Sequence, residues 1–211
     1  KAEKGYIAVN NKQGQAKTYF KMAWVYRKNG ELDQALQKDL EGLKLMESID
    51  DKAGICDAMT RVSQDLTVQD RLKEALEYAQ KAIAIAEDNN LISEKFYVYF
   101  NAGNVAIASS KFKESLDYYN KALAIAKAQN MGLPTLSDIT NSRGNAHKRL
   151  GNFKEALIDY ENCLQYAKDS NYQNAITAST ANLGEINLLL GNYKEALKYQ
   201  LETVRLQEEN K

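Results

Sequence analysis

Proline is almost missing from this chain of 211 residues, which holds one, Pro134, so helices can run on without the residue that most often breaks them. Cysteine is nearly as scarce. Cys56 and Cys163 lie far apart and outside any C-x-x-C pattern, which excludes a disulfide framework and a zinc site and leaves buried free thiols. Net charge is absent too: 28 Lys and Arg face 28 Asp and Glu, so no general field draws nucleic acid or an anionic membrane surface. No apolar run approaches the roughly 18 residues a bilayer-spanning helix needs, so membrane insertion of this segment is not expected. There is no secretory hydrophobic region, and a chain starting at Lys1 reads as part of something larger or as a processed product.

What the chain has in quantity is tyrosine, 13 in all, among recurring Ala, Leu, Lys, Glu and Asn. That mixture suits a nearly all-helical protein built from aromatic-to-small contacts. The heptapeptide Gly151-Asn152-Phe153-Lys154-Glu155-Ala156-Leu157 returns forty positions later as Gly191-Asn192-Tyr193-Lys194-Glu195-Ala196-Leu197. A fixed period of that size signals stacked helix pairs. The residue opening each second helix is Leu32, Leu72, Phe112, Phe153 and Tyr193, and three places on stands a small residue: Ala35, Ala75, Ser115, Ala156 and Ala196. Each first helix has a small residue in phase as well, at Ala23, Ser63, Gly103, Gly144 and Gly184. Two helices approach closely only where one offers no bulk to the other, and a glycine inside a helix costs about 1 kcal/mol, so these positions mark the contacts of each pair.

Five repeats fit, at 16–55, 56–95, 96–136, 137–176 and 177–211, in one domain, with residues 1–13 read as the tail of a preceding second helix. The turn residues are Gly30, Asp70, Ser110, Gly151 and Gly191, and the two turns without glycine are expected to be less regular. Asn152 and Asn192, each followed by glutamate three residues on, are expected to cap their helices in a capping-box manner. One inserted residue falls in the stretch Asn130 to Pro134, so the fourth unit is expected to start near Pro134 or Thr135. Leu197, Leu201 and Val204 present an apolar face that needs a cover, from a continuing chain or from something else.

The aromatic and small residues of helix one, the G-x-[FYL]-x-x-A-L turn, and the further small residue at Gly42, Ala82, Ala122 and Cys163 together resemble the tetratricopeptide repeat. Thr203 breaks the pattern in the fifth unit, the proline after each second helix is missing, and the period is 40 where the family has 34. Such elongated units look like those of Pins-type adaptors, kinesin light chains and Rap-like bacterial regulators. The resemblance implies an all-α fold, a right-handed superhelical solenoid of antiparallel helix pairs. It also implies that first helices line an inner groove for a peptide or partner helix.

Carrying that register over, the side chains expected to meet a partner are Lys21, Trp24, Arg61, Gln64, Tyr97, Phe100, Asn101, Asn104, Asn141, Asn145, Lys148, Asn182 and Glu185. The asparagines form a ladder, since a carboxamide both donates and accepts and can pair with an extended backbone; the alternative is that these amides bridge neighbouring helices or sit in water. Phe20, Trp24, Tyr97 and Phe100 are anchors or ordinary inter-repeat core. Lys17, Arg27 and Arg149 add basic character to the same wall, which reads foremost as a solvated face. The residue pairs Phe20 and Trp24, Thr60 and Gln64, and Phe100 and Asn104 lack the carboxylate clamp of chaperone-binding relatives.

Nothing points to catalysis. The only histidine, His147, sits where the family has a packing aromatic and is expected to be a partly buried structural imidazole. No phosphate-binding loop, dinucleotide fingerprint, H-E-x-x-H or calcium loop is present, so neither cofactor nor metal is expected. The sequence reads as a non-enzymatic scaffold for a protein or peptide ligand, with a ligand-sensing segment of a bacterial signal transducer as the rival reading.

Overall fold

The computed structural model describes residues 11–209, and every regular element among them is an α-helix of 17 residues. They fall into two compact units, one ending at Ser110 and the other beginning at Lys111. The first holds α1 (Lys12–Lys28), α2 (Leu32–Ser48), α3 (Lys52–Val68), α4 (Leu72–Asp88) and α5 (Ile92–Ala108). The second holds α6 (Phe112–Ala128), α7 (Leu133–Arg149), α8 (Phe153–Asp169), α9 (Gln173–Leu189) and α10 (Tyr193–Glu209). Within each unit every helix packs on the next in sequence, and first helices also meet one another, α3 on α5 and α7 on α9. The forty-residue period is thus two twenty-residue halves, each a helix and a three-residue reversal.

The reversals among the described residues share one device, complete at all but the one at Ser110. One residue just past the helix adopts a left-handed backbone, and the next N–H bonds back to a carbonyl in the helix's last turn, as Glu31 does to Tyr26 (2.9 Å), Arg71 to Leu66 (2.9 Å) and Asn152 to His147 (3.0 Å). Glycine fills that place at Gly30, Gly151 and Gly191, but Asp50, Asp70, Asn90, Ser110, Asn130 and Asn171 adopt it with side chains. The turn at Asp70 is therefore regular, contrary to the expectation from sequence, whereas the turn at Ser110 has the left-handed residue without the closing bond from Lys111 N; both carry the steric cost of a left-handed L-residue. Ser110 (φ +57°) lacks the amide or carboxylate that eases this conformation, so Ser110→Gly is expected to stabilise the protein by about 1 kcal/mol, read as a higher melting temperature.

The helix starts correct the sequence reading in two places. Asn11 caps α1 by accepting from Gly14 N (2.8 Å), and Asp51 caps α3 from Gly54 N (3.0 Å), so the first helix begins earlier than its apolar spacing suggested. The proposed tail of a preceding helix falls mostly on residues 1–10, outside the described residues. Asn152 and Asn192 do not act as side-chain caps: Asn152 Nδ2 approaches His147 Nδ1 (3.4 Å) and Asn192 Nδ2 donates to Asn187 Oδ1 (3.1 Å). The inserted residue leaves Gly132 as an extended cap before Leu133, with Pro134 in the first turn, where its missing N–H costs nothing.

The small positions are where the helices meet. Ala23, Ser63, Ala35, Ala75, Ser115, Ala156, Ala82, Ala122 and Cys163 are fully buried, and Ser63 Oγ donates across its pair to Ala75 O (2.9 Å). A methyl group added at Gly42 would lie inside the Phe20 ring's contact distance, at 2.2 Å from Cε1. Thr203, which breaks the small pattern, is only half-buried. At the end of the second unit Tyr193, Leu197, Leu201 and Val204 are each more than half exposed.

Candidate functional site

In the first unit, the faces of α1, α3 and α5 form a continuous concavity. One hollow of about 740 Å³ lies between α1 and α3, walled by Lys17, Lys21 and Trp24 with Phe20 beneath. A second of about 450 Å³ lies between α3 and α5, walled by Gln64, Glu94 and Tyr97. Both include Ala53, Asp57 and Arg61, so they are the two halves of one groove with α3 along its middle.

The four aromatic residues singled out in sequence divide. Trp24 and Tyr97 are 57% and 58% exposed; Tyr97 makes a T-shaped contact with Phe96 (5.1 Å), and the Lys28 ammonium lies 5.6 Å from the Trp24 ring. Phe20 is core, 6% exposed, and Phe100 is half-buried and stacked on Phe96 at 5.9 Å. Arg61 bridges the halves: its Nε donates to Asp57 Oδ2 (2.9 Å) and its guanidinium lies 5.1 Å over the Phe20 ring. Lys21, Gln64 and Asn104 are exposed on the same helices.

The asparagine ladder does something else. Asn101, 3% exposed, donates to Ser63 Oγ (3.0 Å) and faces the core of the first unit, so it is not presented to a partner. In the second unit Asn182 Nδ2 donates to Asn141 Oδ1 (2.8 Å), joining α9 to α7, and Asn145 Oδ1 accepts from the Tyr160 hydroxyl (2.8 Å) on α8. Lys148 and Glu185 pair across the same two helices at 2.7 Å. Amides and charges expected on a ligand-facing wall are here committed to holding neighbouring helices in register.

Sequence reasoning missed the buried charges. Asp39 and Asp65 are 0% and 1% exposed and share one guanidinium, that of Arg27, which approaches Asp39 Oδ2 at 2.7 Å and Asp65 Oδ1 at 3.3 Å. Arg27 thus belongs to the joint between α1, α2 and α3 and not to the groove wall. Burial pushes the Asp39 carboxyl up to about 8 despite Arg27, and raises Asp65 as well. In the second unit Asp159, equally buried, takes a two-pronged pair from Arg143 (2.9 and 2.5 Å). Each of these acids sits in sequence like an exposed helical carboxylate, and only the approach of a second helix marks it as buried.

The histidine and both cysteines are wholly or partly buried. His147 is partly buried, 4.0 Å from Asp159, and burial lowers its pKa against the opposing effect of Asp159. The Cys56 thiol is buried, bonds Ala82 O (3.5 Å), and is pushed up to about 11 by burial, while Cys163 sits against Ser137. Among the described residues no helix is long and apolar enough to cross a membrane.

Profiles of the tetratricopeptide repeat match residues 55–88, 96–129 and 135–209. No curated protein sequence gives a significant match. Among solved structures, BtubC (BKLC) from P. vanneervenii superposes with a TM-score of 0.86 at 16% identity, over 96% of this chain and 84% of that one. The nearly identical TPR-like repeats of a putative kinesin light chain from Podosopora anserina give 0.76 at 14% identity, over 92% and 95%. A Rap protein complexed with competence and sporulation factor gives 0.77 at 16% identity, over 94% of this chain and 55% of the Rap chain. At these identities the likeness is one of fold.

Proposed function

The chain belongs to the tetratricopeptide-repeat family, and on that premise we propose that it is a protein-interaction scaffold whose first unit holds a peptide or partner helix along α1, α3 and α5. The observation that carries this reading is the pair of adjoining hollows flanked by Trp24 and Tyr97, two large aromatic side chains left in solvent beside concave surface. Exposed aromatics at a concavity supply much contact area for little lost side-chain entropy, which is why such residues dominate binding energy at interfaces. Lys21, Arg61, Gln64, Phe100 and Asn104 complete the proposed contact surface of this unit. In the second unit Asn141, Asn145, Lys148, Asn182 and Glu185 contribute chiefly by fixing α7, α8 and α9 to one another.

The test is a selection of short random peptides on the full chain, followed by titration of enriched sequences against the Trp24→Ala, Tyr97→Ala double variant. Loss of about 2 kcal/mol or more of binding, with helical circular dichroism unchanged, is the expected result. Enriched peptides indifferent to both substitutions would remove the groove from consideration. The likeness to the Rap protein supports a second reading, in which ligand binding relays a signal. That reading requires a shift in hydrogen-exchange protection of α1 to α5 on titration of an enriched peptide.

A further inference from the structure

The groove's two sides differ in the sign of their net charge. On the α1 side Lys17 and Lys21 are exposed and have no ion-pair partner among the described residues, and Trp24 stands one turn from Lys21. On the α5 side the free charge is negative: Glu94 is half-buried at the hollow's edge with no hydrogen bond or ion pair to a described residue, and Tyr97 stands three residues on. Between them Asp57 and Arg61 neutralise each other at 2.9 Å. Asp51, which also borders the α1 side, accepts from Gly54 N (3.0 Å) and Gln13 Nε2 (3.3 Å), and as these donors are neutral it still counts as one negative charge against the two lysines, leaving that side net positive.

Resting on the groove reading above, we propose that the ligand is a bipolar segment, with an anionic side chain set against Lys17 and Lys21 and a cationic side chain set between Glu94 and the face of Tyr97. Each end then has one charge to pair and one aromatic surface to cover, and a cation over Tyr97 gains from the ring's negative face as well as from Glu94. The neutral middle offers no charge to compete. Adjacent helices pack roughly 8–10 Å apart, so α1 and α5 stand about 20 Å apart, and an extended chain covers that in about six residues. A segment carrying two like charges at that spacing meets repulsion at one end, so charge pattern discriminates among ligands of equal apolar content.

The probes are fluorescent pools of short degenerate peptides with two fixed positions about six residues apart. One pool carries Glu and Arg in either order; the others carry Arg twice, Glu twice or Gln twice. The full chain is expected to bind the mixed pool about tenfold more tightly than either like-charged pool, with the margin shrinking as salt is added. Glu94→Lys should transfer the preference to the pool with two glutamates, and Lys17→Glu with Lys21→Glu should transfer it to the pool with two arginines. Glu94→Gln, which keeps size and removes charge, should abolish the margin between the mixed and the doubly anionic pools. Equal binding of all pools, or preferences that do not follow the reversals, would overturn the bipolar assignment and leave the groove standing. Failure of every pool to bind would overturn both.

Discussion

Gly144→Leu is expected to cost at least about 3 kcal/mol of stability, the upper range for side chains forced into a packed core, and to lower the melting temperature by roughly 10 °C. Even a single methyl group there would stand 2.8 Å from Tyr160 Cε1 and 3.2 Å from Asp159 Cβ. Neither neighbour is free to yield. The Tyr160 ring is fully buried with its hydroxyl on Asn145, and Asp159 is gripped by both prongs of Arg143. Gly184 occupies the same phase one repeat on but faces Gln200 Cγ at 3.1 Å, the flexible stem of an exposed side chain. Gly184→Ala should therefore be close to neutral, the push on Gln200 offset by about 1 kcal/mol of better helix propensity. Parallel thermal unfolding of the two variants separates a rigid contact from a yielding one. Equal melting for Gly144→Leu and the parent chain would mean α7 and α8 do not touch at that glycine.

Stability should also fall as pH rises from about 4 to about 8, and Asp39→Asn should flatten that decline. Asp39 holds its proton up to about 8 in the folded chain because burial penalises the ionised form, with Arg27 opposing and Asp65 reinforcing the shift. An unfolded aspartate ionises near 3.9, so between the two values the folded state binds more protons than the unfolded one. The contribution is complete below the unfolded value and is lost as pH climbs through the folded one. The groups facing Asp39 are Arg27 from α1 and Asp65 and Arg61 from α3, so the fully ionised state sets two buried carboxylates against one close guanidinium. An amide at position 39 keeps the size of the protonated acid and cannot ionise. Removal of the guanidinium by Arg27→Leu takes away the cation that lowers both carboxyls, so it is expected to keep them protonated to higher pH and to carry the decline further into the alkaline range. Melting curves at several pH values measure all three proteins; a decline equally steep in Asp39→Asn would show that this carboxyl is not its source.

The fold was legible because its signal is repeated and local. A small residue at one phase of each helix, a leucine after it and a turn residue at fixed spacing are properties of single residues, and five imperfect copies make the pattern secure. The site was legible in part. Trp24, Lys21, Gln64 and Tyr97 fall on the exposed face because helical register alone puts them one or two turns apart on α1, α3 and α5. The same register placed Asn101, Asn141, Asn145 and Asn182 on a ligand-facing ladder, yet whether an amide meets solvent or the next helix depends on a rotation of a few tens of degrees that the sequence does not state.

The sequence by itself determined that this protein is a run of helix pairs closed at glycine, alanine and serine, because hydrophobic period and missing bulk are written residue by residue. Only the tertiary structure decided which polar side chains are occupied. Asn182 reaching Asn141, Lys148 reaching Glu185 and Arg27 lying between Asp39 and Asp65 are meetings of residues from different helices. The distance and rotation between packed helices, set by the summed shapes of their side chains, determine which of those groups remain free for a partner.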